Sequence, residues 1–372
     1  MKHPCNCVAF ASGNFEDGAK LRTVLVLQGG GALGAYQVGS YEAMLEQGYQ
    51  PDVVSGISIG AINAALIAGN PPEKRLAQMK AFWDHVSIKP LAVWPPAVEM
   101  FAPYYHWLGV TQALILGQPN FFRPRLSNPY FSMPGSDAAV SFADSSELRA
   151  TLVKFIDFDL INSGAVRLFL GAARISDGEM IYFDNTVDTI TPEHVMASGA
   201  LPPAFAAVQI GSEYYWDGGV ASNSPIDAVL DAMPNENMRI FMPTLFNPSG
   251  PVPKTMMEVT VKQKQIQYAM RARRHIDRLI RDHQLRTLLA HPVLRAAAEN
   301  SDDESLKAAI KEMRTNHIEI VHVMYEWQPY ETEFADTDFA QVSTNRRMKS
   351  GYKDMKYALE NVEPTIPCRE SK

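Results

Sequence analysis

The sequence predicts an α/β fold built on a mostly parallel central sheet. Three observations carry this. The apolar run Val24-Leu25-Val26-Leu27 leads through Gly29-Gly30-Gly31-Ala32-Leu33-Gly34 into a helical stretch, Ala35 to Glu46. The same succession recurs as Val53-Val54, Gly56-Ile57-Ser58-Ile59-Gly60 and a helix over Ala61 to Ala68. Further apolar runs, Val166 to Ala173 and Arg239 to Met242, continue an alternation that covers both faces of a sheet with helices.

Taken in order, residues 1–21 read as a loose N-terminal tail. Asn70-Pro71-Pro72 ends the second helix, because proline lacks an N–H and restricts the residue before it. Glu73 to Val86 then carries a helical apolar stripe of Leu76, Met79, Phe82, Trp83 and Val86. Between 94 and 134 prolines alternate with aromatics at a density that regular sheet cannot hold. That segment reads as an insertion packing its own aromatics, or as a lid over an apolar site. Ser176-Asp177-Gly178-Glu179 separates Val166–Ala173 from Met180-Ile181-Tyr182-Phe183, a hairpin signal. Leu201-Pro202-Pro203 stops a helix, and a Pro-rich joint after Met242 leads to a long helix from about Lys262 to Leu289. Ile318 to Val323 is the last strand candidate. The plan is a catalytic domain over 22–250 and a helical C-terminal extension over 251–372 packed on it.

With 372 residues, 46% of them hydrophobic, the chain has ample material for a large core. Its net charge of −7 gives no general attraction to nucleic acid, and no nucleic-acid partner is expected. The first residues lack the apolar core of a signal peptide, and no apolar stretch reaches the roughly 18–20 residues that span a bilayer. A soluble, cytoplasmic protein is expected. Cys5, Cys7 and Cys368 lie at the chain ends, and Cys5-Asn6-Cys7 lacks the further Cys or His pair of a metal site.

A serine hydroxyl needs a base to take its proton during attack. Gly56-x-Ser58-x-Gly60 sits between an apolar strand and an Ala-rich helix, where the two glycines let strand and helix approach while Ser58 turns outward at a helix N-terminus. Gly29 to Gly34 admits two readings. It matches the dinucleotide fingerprint, with Asp52 roughly the right distance beyond, but Asp52 precedes its apolar pair instead of closing the strand. Its other reading is an oxyanion hole of successive N–H groups from Gly29, Gly30, Gly31 and Gly34. Asp217, before Gly218-Gly219, is placed to be a base, although an aspartate capping its own turn has the same local look.

Gly29-Gly30-Gly31-x-x-Gly34, Gly56-x-Ser58-x-Gly60 and Asp217-Gly218-Gly219 with Asn223 and Pro225, in this order, resemble the patatin-like phospholipase family over residues 22 to 230. Ala197-Ser198-Gly199-Ala200-Leu201-Pro202 agrees with it. Residues 260 to 360 resemble the C-terminal extension of one bacterial branch. The resemblance implies a three-layer fold and a catalytic dyad of Ser58 and Asp217 without histidine. It also implies an oxyanion loop at Gly29–Gly34 and release of fatty acid from a lipid or other acyl-ester substrate through an acyl-serine. That scheme needs no metal and no cofactor.

In one respect the chain departs from the family. Many members carry Arg or Lys where Leu33 stands, which shifts the expected substrate toward neutral or short-chain esters. A Ser-Asp-His triad stays open, with His275, His291, His317 or His322 as base. Two readings from other classes stay open too: an NAD(P)-dependent oxidoreductase using Gly29–Gly34, and a non-catalytic lipid-binding protein. On the long C-terminal helix Lys262, Lys264, Arg271, Arg273, Arg274, Arg278, Arg281 and Arg286 outnumber Asp277 and Asp282. Such a basic face either is solvated or makes peripheral contact with an anionic membrane.

Overall fold

The computed structural model describes residues 8–12, 21–89, 101–223, 225–269, 281, 285, 291–311 and 316–361. The three cysteines, His275 and most basic positions of the expected long helix lie outside the described residues. Strand β1 is Val8–Ser12 and β2 is Arg22–Leu27, followed by helix α1, Ala35–Glu46. Strand β3, Val53–Ile57, runs into α2, Ile59–Ala68, and α3 is Arg75–Val86. The Pro/aromatic region contains α4, Ala102–Leu116, and a two-residue ladder of β4, Arg123–Pro124, with β5, Ala143–Asp144, around the short α5, Asp137–Val140. Then come α6, Ser146–Phe155; α7, Phe158–Asn162; β6, Arg167–Arg174; β7, Met180–Asp184; and α8, Pro192–Ser198. A second hairpin, β8 Val208–Ile210 and β9 Glu213–Asp217, precedes α9, Ile226–Ala232, and β10, Met238–Thr244. Beyond it lie helix α10 over 256–269, α11 Pro292–Glu299, α12 Glu304–Lys311, β11 Ile318–Met324 and α13 Gln341–Asn361.

One nine-stranded sheet holds these together in the order β1-β11-β10-β2-β3-β6-β9-β8, with β7 also paired to β6. From β11 through β10, β2 and β3 to β6 the strands are parallel; β1, β7 and β9 run antiparallel to these, and β8 pairs antiparallel with β9. Alternate residues face opposite ways along a strand. Leu25, Leu27, Val54, Leu168 and Phe241 pack under α1, α2, α3 and α13. Val24, Val26, Val53, Phe169 and Ile240 pack on Ile226, Val229 and Leu230 of α9. The result is three layers, helices on both faces of the sheet. Full burial of each large aliphatic side chain contributes about 1.5–3 kcal/mol.

Val8–Ser12, inside the expected loose tail, pairs antiparallel with β11. The pairing is supplied by the partner's open edge, which leaves no mark on the tail's own residue pattern. The C-terminal region likewise does more than pack on a finished domain, since its strand β11 lies inside the sheet beside β10. Its helix α13 meets α1 backbone to backbone: a Cβ on Gly39 would fall on the Met348 carbonyl, and one on Gly351 on the Tyr36 carbonyl. Tyr36 Oη donates to Asp354 Oδ2 at 3.0 Å beside this contact.

Helix α4 is fastened to the same region by a buried polar cluster. His106 Nδ1 lies 2.8 Å from Asp338 Oδ2, and its Nε2 accepts the Thr332 N–H at 3.1 Å. Arg347, 1% exposed, donates to Glu331 Oε1 at 2.8 and 3.1 Å and to the Asp338 carbonyl at 2.9 Å. Lys262 and Lys264, two cations of the expected basic face, are engaged by the protein instead. Lys262 Nζ donates to the Pro248 carbonyl, and Lys264 Nζ to Asp336 and the Glu333 carbonyl. Among the described residues no helix is long and apolar enough to cross a membrane.

Candidate active site

At the carboxyl ends of β2 and β3 a cavity of about 420 Å³ opens, walled by α4, the 118–125 and 142–143 segments, and Asp336, Thr337 and Phe339. Gly29, Gly30, Gly31, Ser58 and Asp217 all lie on it. Most of the remaining wall is apolar, including Ile62, Leu114, Phe121, Phe122, Phe205 and Phe246.

Ser58 ends β3 and opens α2 with φ 58 and ψ −127, a left-handed backbone that costs a non-glycine residue about 1–3 kcal/mol. Its surroundings hold it there. Its N–H is accepted by Ser198 Oγ at 3.0 Å and by the Ser198 carbonyl at 3.1 Å, while Ser198 Oγ donates to the Gly171 carbonyl at 2.6 Å. Gly56 and Gly60 flank the turn without lining the cavity. A Cβ on Gly60 would strike the Leu27 carbonyl, so the glycine lets α2 start hard against the end of β2.

Asp217 ends β9, which pairs with β6 so that Asp217 faces Ala172, while Ile57 of β3 faces Gly171 on the other side. Ser58 and Asp217 therefore meet across the end of one intervening strand. The Asp217 carboxylate is 2% exposed and accepts the Gly219 N–H at 2.7 Å. Burial pushes its pKa up to about 6, against the opposing pull of the Ser58 hydroxyl and of the hydrogen bond from the Gly219 N–H. Its own N–H goes to the Ala200 carbonyl at 3.0 Å. Segment 198–200 thus holds the backbones of both residues.

The glycine loop is not uniform. Gly29 is clamped by Asn223, whose Oδ1 accepts the Gly29 N–H at 3.1 Å and whose Nδ2 donates to the Gly29 carbonyl at 3.0 Å. Gly30 and Gly31 line the cavity, and among the described residues no acceptor takes their N–H groups. Gly34 stands away from the cavity, packed on Ile59, with its carbonyl accepting Asn63 Nδ2 at 3.0 Å. Leu33 is fully buried in the core and does not line the cavity. Among the described residues, Arg125 is the cation on the wall.

Two alternatives are answered by position. Asp52 accepts the Thr23 N–H at 2.9 Å, at the start of β2. At about 3.3 Å per residue the glycine loop is roughly 20 Å away, out of reach for a ribose-binding acid. The triad has no candidate here either, since no described histidine lines the cavity. His291 Nδ1 accepts the Val293 N–H at the start of α11, His317 pairs with Glu319, and His322 with Thr244. Among the described residues no group of three or more His, Cys, Asp or Glu side chains could hold a metal ion.

Several residues that set this geometry were not among those singled out by their sequence pattern. Gln28 Oε1 accepts the Leu245 N–H, Gln37 Nε2 donates to the Gln28 carbonyl, and Asn63 bonds both Gln37 Oε1 and Trp83 Nε1. A polar residue inside the Ala-rich α2 is the one signal that could have marked Asn63.

A family model described as patatin-like phospholipase matches residues 25–230, and one described as patatin phospholipase matches residues 266–369. The chain belongs to the patatin-like phospholipase family. Patatin-like phospholipase domain-containing proteins of Chaetomium globosum and Coccidioides immitis are 43% and 45% identical to it over 53 residues. These stretches are 14% of this chain in each case, and 6% and 7% of the respective relatives, so the match spans a small part of their length. Among solved structures, VipD from Legionella pneumophila is similar with a TM-score of 0.36 and 14% identity, over 95% of this chain and 70% of that one. Human GIVD cytosolic phospholipase A2, in complex with methyl gamma-linolenyl fluorophosphonate, gives 0.40 and 10% identity over 91% and 58%.

Proposed function

We propose that the protein is a serine acyl hydrolase for lipid esters, working through a Ser58–Asp217 dyad and an acyl-serine intermediate. The observation that carries this is the convergence of Ser58 and Asp217, a buried carboxylate of raised pKa, on one cavity with mostly apolar walls. Ser58 Oγ attacks the ester carbonyl carbon as its proton passes to Asp217. The carbonyl oxygen becomes an oxyanion, which the N–H groups of Gly30 and Gly31 and the positive end of α2 are positioned to stabilise. Collapse expels the alcohol, which takes its proton from Asp217, and leaves the acyl group on Ser58. Water then attacks the acyl carbon with Asp217 as base, releasing the acid and restoring Ser58.

The raised pKa addresses the weakness of an ordinary aspartate as a base toward a hydroxyl, because efficiency improves as the base approaches the working pH. In this reading residues 22–250 are the catalytic unit and 251–372 the extension that completes the cavity through Asp336, Thr337 and Phe339. The test is hydrolysis of p-nitrophenyl esters of several acyl lengths by wild type, Ser58→Ala and Asp217→Asn. Both variants are expected to lose about a thousandfold or more in kcat while folding normally. A fluorophosphonate probe should label Ser58. Retention of activity in folded Ser58→Ala would overturn the assignment.

A further inference from the structure

We propose that the apolar rim of this cavity is a lipid-docking surface, formed by the outward face of α4 and the 126–142 segment. The proposal rests on the acyl-hydrolase reading. Helix α4 contains no Asp, Glu, Lys or Arg, although part of it faces solvent. Tyr104, Trp107, Leu114 and Ile115 are 51–67% exposed and share one outward side of the helix, with Thr111 between the two pairs. Tyr130, whose ring centre lies 6.4 Å from that of Phe142 on the cavity wall, and Phe131 are 84% and 89% exposed in a segment whose one charge is Asp137. Soluble monomers rarely expose an apolar patch of more than a few hundred Å² without a partner for it.

The cavity identifies the partner. Leu114 and Phe142 belong to the cavity wall and are also about half exposed on the rim, so apolar side chains lead from the surface into the cavity that holds Ser58. A second copy of the chain seated on this rim would stopper the mouth. A lipid surface seated there would deliver an acyl chain into the cavity without taking it through water. Trp107 and the exposed tyrosines suit the headgroup boundary, where a ring buries its body and keeps its polar edge wet. Because the face is almost free of charge, apolar area drives the binding, which needs neither anionic lipid nor low salt.

The experiment is flotation of the Ser58→Ala protein, which binds without turnover, on phosphatidylcholine vesicles with and without phosphatidylglycerol at low and high salt. The comparison adds Ile115→Ser, Leu116→Ser, Tyr130→Ser and Phe131→Ser together, side chains outside the cavity wall. Flotation on both vesicle types, indifferent to salt and cut at least about tenfold by these substitutions, is expected. In the Ser58 enzyme the same substitutions should leave turnover of soluble p-nitrophenyl butyrate within about twofold, which also reports folding. Absence of flotation, a requirement for phosphatidylglycerol, or indifference to the substitutions overturns the proposal. So does a dimer that the substitutions disperse without any vesicle uptake. Flotation by an enzyme that turns over no soluble ester overturns the hydrolase reading and leaves the docking surface supported.

Discussion

The backbone N–H of Ser58 rests on Ser198, shared between its Oγ at 3.0 Å and its carbonyl at 3.1 Å. This anchor secures a residue whose backbone would relax if it were free to do so, and the strain has a measurable size. Ser58→Gly and Ser58→Ala both remove the hydroxyl, but only glycine adopts φ 58 without cost. Ser58→Gly should therefore unfold at a free energy about 1 kcal/mol above Ser58→Ala, after allowing for the greater chain entropy of glycine. Paired denaturant titrations read the difference; equal midpoints would mean that the elbow is unstrained.

Asp217 sets two pH dependences of opposite sense. Hydrolysis needs the carboxylate, so kcat should rise with pH through about 6 and level off above it. Stability runs the other way. With a folded pKa of about 6 against roughly 3.9 in the unfolded chain, the native state holds an extra proton between those values. Stability then falls as pH rises through that window, by about 3 kcal/mol in all. Asp217→Asn, inactive, should be the more stable protein at neutral pH, with the difference vanishing below about pH 4. Thermal melts across the pH range test the sign.

Asn223 touches the loop rather than the reacting atoms and acts as a positioning residue. Removing it in Asn223→Ala strands a buried N–H and a buried carbonyl at Gly29, at a cost of about 1–3 kcal/mol in stability. Misaimed neighbours at Gly30 and Gly31 should lower kcat by about 10- to 100-fold with KM nearly unchanged. Asn223→Asp keeps an acceptor but places an anion near the developing charge, so its kcat should be lower still and its pH midpoint higher. Steady-state kinetics over pH separates these from simple loss of fold.

Histidine should prove dispensable for the chemistry. Replacing His291, His317 or His322 with glutamine is expected to leave kcat/KM within about threefold of wild type, since none reaches the cavity. His275→Gln belongs in the same series. A folded variant that loses several orders of magnitude would restore the triad.

Gly39→Ala tests how closely the two ends of the chain depend on each other. The added methyl meets the Met348 carbonyl, a backbone atom that cannot swing aside. About 1 kcal/mol of improved helix propensity is outweighed by overpacking, for a net loss near 2 kcal/mol. The urea midpoint should fall with its slope unchanged.

The parts of the molecule that repeat a local pattern were legible in the sequence. The helix expected from Ala35 to Glu46 is α1 to the residue, and the glycine turns end β2 and β3 as their spacing implies. Ser58 and Asp217 were readable because their motifs are local, and the fold brings them to one cavity. Helix α4 was not legible: its wet face is apolar, so the polar–apolar alternation that announces a surface helix is missing. Nor were the clamp of Asn223 on Gly29, the Ser198 anchor or the seating of β1 on β11, since each depends on a partner distant in sequence. The aspartate's raised pKa is a property of its burial, which no motif states.

The place of β11 bears on how such a chain is made. Strand β10 is complete once residue 244 has been synthesised, yet its neighbour on one side is β11, which begins at Ile318. Until then a nascent chain carries β10 with one row of backbone donors and acceptors unclaimed, the kind of edge on which other chains stack. Phe339 and the rest of the last wall follow later still. Truncation behind the catalytic motifs would therefore yield a sticky sheet that lacks β11, with an unfinished binding cavity, and assembly on the ribosome must wait until residue 324 has been added.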